Sequence, residues 1–180
     1  VHRNRTKLGG QGALVYLAGE EAGGNLAAAV SLMARDQSHP PLAGQILLSP
    51  MLDPCVGTAS LREATGDSTG CKWTEGWRNF LRCPRDAEHP YAVPASAHRL
   101  AGLPPTLVLV GDTDPMRDEA LAYAARLHAA GLQVTQHVFA KAEKWPEPLL
   151  ETGPHECPCA GAVQEEFRRF FEATRCRESS

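Results

Sequence analysis

Ala13-Leu14-Val15-Tyr16-Leu17-Ala18 runs without a break into Gly19-Glu20-Glu21-Ala22-Gly23-Gly24-Asn25-Leu26-Ala27, and this stretch decides the fold. The first six residues are a short apolar run rich in strand formers, as in a strand buried on both faces. From Asn25 to Arg35 the pattern changes: Leu26, Ala29, Val30 and Met33 recur at helical spacing. A strand that ends in Gly-x-x-x-Gly and passes straight into a helix must turn sharply. Side chains at the glycine positions would clash with the strand and helix packed around them, and the middle residue is forced into a strained backbone conformation. The strain pushes the Glu21 side chain out at the sheet edge, above the amino terminus of the following helix.

Outward from that turn, the elements alternate. Gln45-Ile46-Leu47-Leu48 reads as a second strand stopped by Pro50 and Pro54, and Thr106 to Val110 as a third. Asp118 to Ala130 predicts a helix ended by Gly131, Val134 to Ala140 a fourth strand, and Ala160 to Thr174 a closing amphipathic helix with Val163, Phe167, Phe170 and Phe171 on one side. Strands alternating with helices imply an α/β fold, a parallel sheet with helices on both faces. Residues 53–100 lack clean periodicity but contain Trp73, Trp77 and Phe80, and are expected to form a helical excursion over the strand ends. Ligands in such sheets bind beyond the carboxyl ends of the strands.

Composition sets the remaining bounds. The 180 residues suffice for one domain, 1–180, with a real core, and a net charge of -3 leaves no basic surface for a nucleic-acid backbone. No apolar run approaches the ~20 residues of a membrane span, and no signal-like segment opens the chain, so a cytoplasmic protein is expected. Of six cysteines, Cys157 and Cys159 are the close pair. A structural zinc takes four ligands, and no further set at suitable spacing accompanies them. A loop with two small thiols is the expectation, and neither a metal nor a cofactor.

The turn around Glu21 has the setting of a nucleophile elbow, where backbone N–H groups at the helix amino terminus stabilise a developing oxyanion. Its residues resemble the Gly-Asp-Ser-Ala-Gly-Gly-Asn-Leu-Ala signature of the hormone-sensitive-lipase-like esterases of the α/β-hydrolase fold. Further segments follow in that family's order. Leu47-Leu48-Ser49-Pro50 with Asp53-Pro54 is similar to the segment after the next strand, and His89-Pro90-Tyr91-Ala92-Val93-Pro94 to a Pro-Tyr-Ala-Ser-Pro stretch. Gly111-Asp112-Thr113-Asp114-Pro115-Met116-Arg117-Asp118-Glu119 resembles the Asp-Pro-Leu-Arg-Asp-Glu motif. The resemblance implies an α/β-hydrolase-type sheet of which the chain holds the carboxyl-terminal portion only, and an ester-hydrolase ancestry. It also implies Asp114 as the triad acid and the Ala22 N–H as an oxyanion donor.

Three departures bear on activity. Glu21 stands at the nucleophile position, and a carboxylate has no proton for a base to remove. The stretch after the last strand, Phe139-Ala140-Lys141-Ala142-Glu143-Lys144-Trp145, puts Lys144 roughly where the triad histidine is expected, and lysine is charged near neutral pH. The family's His-Gly-Gly-Gly oxyanion loop lies upstream of the elbow and is not in this sequence. Losing a nucleophile or base costs on the order of 10⁶-fold in rate, so serine-esterase turnover is not expected.

Glu21 therefore has three readings: an acidic group in a decayed pocket, a carboxylate nucleophile, or a serine replaced on purpose to trap substrate. The first leads to a pseudoenzyme that binds a small hydrophobic, ester-like ligand. The second needs a water-activating base, for which His155 in Gly-Pro-His-Glu-Cys-Pro-Cys is an outside candidate. His137 inside the last strand reads as a satisfied structural histidine. Asp114 has a plain alternative as a turn residue, and an Asp114–Lys144 ion pair would be structural. Trp73, Trp77 and Phe80 read first as core cover and second as the lining of an acyl pocket. A parallel sheet lacking upstream strands would leave an apolar edge unpaired, through which the chain is expected to self-associate.

Overall fold

The computed structural model describes residues 1–65, 72–146 and 158–175. Helix α1 (Arg5–Gly9) precedes strand β1 (Tyr16–Glu20), which turns directly into α2 (Ala22–Asp36) and returns as β2 (Gly44–Leu48). Next come α3 (Ala59–Thr65), α4 (Lys72–Phe80) and short 3₁₀ turns at Pro84–Glu88 and Pro94–Ser96. Strand β3 (Thr106–Gly111), α5 (Arg117–Ala129), β4 (Val134–Phe139) and α6 (Ala160–Arg175) complete the order. The four strands form one sheet, β1-β2-β3-β4, parallel at every pairing. Parallel pairing brings all four carboxyl ends to one edge, and that edge carries the site.

Period-two alternation divides the side chains of the central strands between two layers. Leu47 packs with Ala27, Ala28 and Leu32 of α2 and with Tyr123 and Leu127 of α5. Val108 and Val110 meet Ala120 and Ala124 on the same face. Ile46, Leu107 and Leu109 face the other way, with Phe139 and with Phe170 of α6. The sheet thus has helices on both faces, and β3 is buried along its whole length. Each fully buried Leu or Ile contributes roughly 1.5–3 kcal/mol, so these two layers carry most of the fold's stability.

The apolar run at 13–18 proves to be offset from its strand. Pairing with β2 starts at Tyr16↔Gly44 and ends at Glu20↔Leu48, because the Glu21 N–H donates to the Leu48 carbonyl (3.0 Å) at the start of the turn. Nor is β1 buried on both faces: Ala18 and Glu20 are exposed, and among the described residues β1 pairs with β2 alone. The short α1, which the sequence pattern did not announce, ends at Gly9, and Gly10 follows it at φ 85°.

The described residues of 53–100 lie as α3, α4 and the turns. Ser60 ties α3 to the start of α5: its N–H donates to Asp118 (2.8 Å) and its hydroxyl to the Pro115 carbonyl (2.9 Å). Trp73 and Trp77 of α4 pack with Met51, Leu61, Val93 and Met116 in a cluster of their own. His137 on β4 lies 3.4 Å from Glu166 of α6 and against the Phe139 ring, a structural placement. The reading of two small thiols at Cys157 and Cys159 is corrected at Cys159, which is buried and disulfide-bonded; Cys157 lies outside the described residues. Among the described residues no cluster of His, Cys, Asp or Glu could hold a metal, and no helix is long and apolar enough to cross a membrane.

Candidate active site

Glu21 adopts φ 46°, ψ -116° between the last residue of β1 and the first of α2. Non-glycine residues at positive φ are uncommon and persist where their surroundings over-determine them. The bracing here is explicit. The Glu21 N–H is held by Leu48, and its carbonyl accepts from Gly24 (3.0 Å), Asn25 (3.2 Å) and Met51 (3.0 Å). A Cβ on Gly19 would lie 2.0 Å from the Gly23 carbonyl oxygen, and one on Gly24 2.8 Å from the Pro50 side chain. The strand, the helix and the loop after β2 therefore meet with no space for side chains.

Burial raises the Glu21 carboxyl group above the ordinary carboxylate range; Lys72 pulls it back down, while Glu20 and Asp114 push it further up. Ala22 supplies the first N–H of α2, one of the donors that a helix start leaves free for an anion. Beside it is an apolar cavity of ≈ 130 Å³, lined by Asn25, Leu26, Met51, Gly76, Trp77 and Phe80. Trp77 thus serves both readings drawn from the sequence, core cover and pocket lining. Phe80 is half exposed.

Asp114 sits at the carboxyl end of β3, only 3 % exposed. Its Oδ1 accepts from the Met116 N–H (2.7 Å), and its Oδ2 accepts from the Ser49 hydroxyl and from the Trp145 indole Nε1–H (2.9 Å). That indole stacks on Phe139 with ring centroids 4.8 Å apart and lies against Gly111, where any Cβ would strike it at 2.6 Å. The side chain that reaches Asp114 from beyond β4 is therefore Trp145. Lys144, one residue earlier, is an exposed residue in the left-handed region (φ 54°). An indole N–H can donate but cannot accept a proton, so it is no general base. His155 lies outside the described residues.

Two supporting residues were not singled out in the sequence. Ser49, at φ 40°, joins β2 to Asp114. Glu119 accepts from the Leu52 N–H (2.8 Å) and the Asp53 N–H, clamping the loop after β2 to α5. Burial drives the Glu119 carboxyl group up to about 8, against the downward pull of those two N–H groups. Its place in the acidic motif was the available signal.

Residues 1–143 match the family described as the alpha/beta hydrolase fold. The chain belongs to that family. Among its curated relatives within the alpha/beta hydrolases is esterase LipI of Mycobacterium tuberculosis, 33% identical over 68% of this chain and 39% of its own length. The gibberellin receptor GID1A of Arabidopsis thaliana is 37% identical over 67% of this chain and 36% of its own. Among solved structures, a bacterial heroin esterase superposes with a TM-score of 0.72 at 29% identity, covering 94% of this chain and 54% of that one. This alpha/beta hydrolase chain thus spans about half or less of the length of the proteins it resembles.

Proposed function

We propose that this chain is a small-molecule-binding member of the alpha/beta hydrolase family in which ester turnover has been lost. The observation that carries the reading is the pairing of two replacements. Glu21 stands on the strained turn where the resemblance implies a serine, and Trp145 donates to Asp114 where it implies a histidine. Nucleophile and base are changed together, and the position beside the acid is filled by a ring that cannot take up a proton. The apolar cavity next to Ala22 persists beside this altered chemistry, so binding outlives catalysis. The relatives' names span both behaviours, esterases and a receptor.

A carboxylate nucleophile at Glu21 is less well supported. Burial raises its carboxyl group above the ordinary carboxylate range, and an alkyl-enzyme ester would need an activated water to release it. The test is hydrolysis of short-chain nitrophenyl esters by the folded protein beside its Glu21→Gln variant. Rates at the uncatalysed background in both are expected. Turnover in the parent that disappears in Glu21→Gln would make Glu21 catalytic and overturn the reading.

A further inference from the structure

The cavity beside the elbow presents hydrocarbon, sulfur and ring surface. Among the described residues that line it none is charged, and Leu26, Met51, Trp77 and Phe80 are its large side chains. The Asn25 Nδ2 donates to the Ala92 carbonyl (2.9 Å), and Asn25 Oδ1 and Trp77 Nε1 are sealed from solvent. Met51 and Trp77 are buried, whereas Leu26 and Phe80 are half exposed and form the mouth. An engineered apolar cavity of about 150 Å³ accommodates benzene, so ≈ 130 Å³ is room for one ring. A charge brought against such a lining would lose its water with nothing to replace it.

One wall of the cavity is bare. Gly76 lines it from the middle of α4, and inside a helix glycine is less favourable than any residue but proline. Neither backbone nor packing calls for glycine at this position. Its φ is not positive, and an added Cβ would meet only the Met51 Cε, at 3.8 Å, an ordinary van der Waals distance. At Gly19 and Gly24, by contrast, a Cβ has no room. Met51 also lines the cavity, so the space that a side chain at position 76 would take is cavity space. Resting on the small-molecule-binding reading above, we infer that the cavity takes an uncharged compound bearing one hydrocarbon ring, and that Gly76 sets the size it accepts. Trp77 and Phe80, edge to face at 6.0 Å, offer aromatic surface to that ring. The unbranched thioether of Met51 adapts the wall opposite Gly76 to its outline.

The experiment is calorimetric titration of the protein, Gly76→Ala and Gly76→Leu with toluene, benzylamine and benzoate, beside the melting curve of each variant. Toluene is expected to bind the parent about tenfold tighter, or more, than either ion. Gly76→Ala should weaken toluene about tenfold while raising the melting temperature, and Gly76→Leu should abolish its binding. A more stable protein that binds less well is a result that a merely structural glycine would not give. Toluene bound equally by the parent and both variants would overturn the role of Gly76 and leave the pocket reading standing. Benzylamine or benzoate bound as tightly as toluene would overturn the uncharged class and likewise leave the pocket. Binding of none of the three probes to the parent would overturn the inference and the reading on which it rests.

Discussion

The elbow around Glu21 and the corner around Asp114 lie on the same sheet edge, yet they have kept different things. At the elbow the backbone mechanics are intact: positive φ, two glycines without room for a Cβ, and a carbonyl held by three N–H groups. The side chain at its centre is a carboxyl group. At the corner the buried Asp114 is met by an indole that packs on Phe139 and Gly111. The first region shows that a turn can be held by packing that has no dependence on the catalytic group. The second shows a buried carboxyl group held by a hydroxyl, an indole and a backbone N–H.

If the elbow is mechanical, its glycines matter more than its glutamate. Gly19→Ala places a methyl group 2.0 Å from a backbone oxygen and is expected to cost roughly 4 kcal/mol or abolish folding. Glu21→Gln should cost under about 1 kcal/mol. Thermal melts of the two variants, read side by side, check the ranking; equal melting temperatures would break the contrast.

At the corner, donors should be worth more than charge. Asp114→Ala strands the Met116 N–H and leaves the Ser49 hydroxyl and the Trp145 indole with only each other, at a predicted cost of about 3 kcal/mol. Trp145→Phe keeps the ring packing and removes one donor, for about 1–2 kcal/mol. Urea midpoints of both variants and their double mutant measure the coupling, and full additivity would argue that the two side chains are independent.

The sequence disclosed the two regions unequally, and for physical reasons. Glycine spacing and the Asp-Pro motif carry local backbone demands, so the elbow and Asp114 could be placed by number. The four strands were legible because apolar runs and their stops are local, although β1 slid by two to three residues once the turn fixed its register. Trp145 was missed because counting along the chain pointed to Lys144. The choice between neighbours depends on a left-handed residue at Lys144, which turns the chain so that the next side chain meets Asp114. The cavity shared by Leu26 of α2 and Trp77 of α4 depends on how distant segments meet, which no local pattern encodes.

Glu119 bridges the corner to the loop that braces the elbow, and its titration gives a smaller handle on how the two regions are joined. Its folded-state carboxyl group titrates near about 8, against an ordinary 4.5. The folded protein therefore binds more protons than the unfolded chain between those values. Stability from this group is full below about 4.5, declines as pH rises, and is gone above about 8. Stability is therefore expected to fall across that window. Glu119→Gln keeps an oxygen for the Leu52 and Asp53 N–H groups and should flatten the decline in denaturant midpoints. An unchanged slope would remove Glu119 from the account.

The indole N–H of Trp145 is the most direct witness to the central proposal, that an indole occupies the place of the base on Asp114. In a ¹H–¹⁵N spectrum its resonance, assigned through Trp145→Phe, should exchange slowly with solvent and shift in Asp114→Asn. An indole signal exchanging as fast as that of free tryptophan, and indifferent to Asp114→Asn, would contradict the claim and leave the acid free to serve a base.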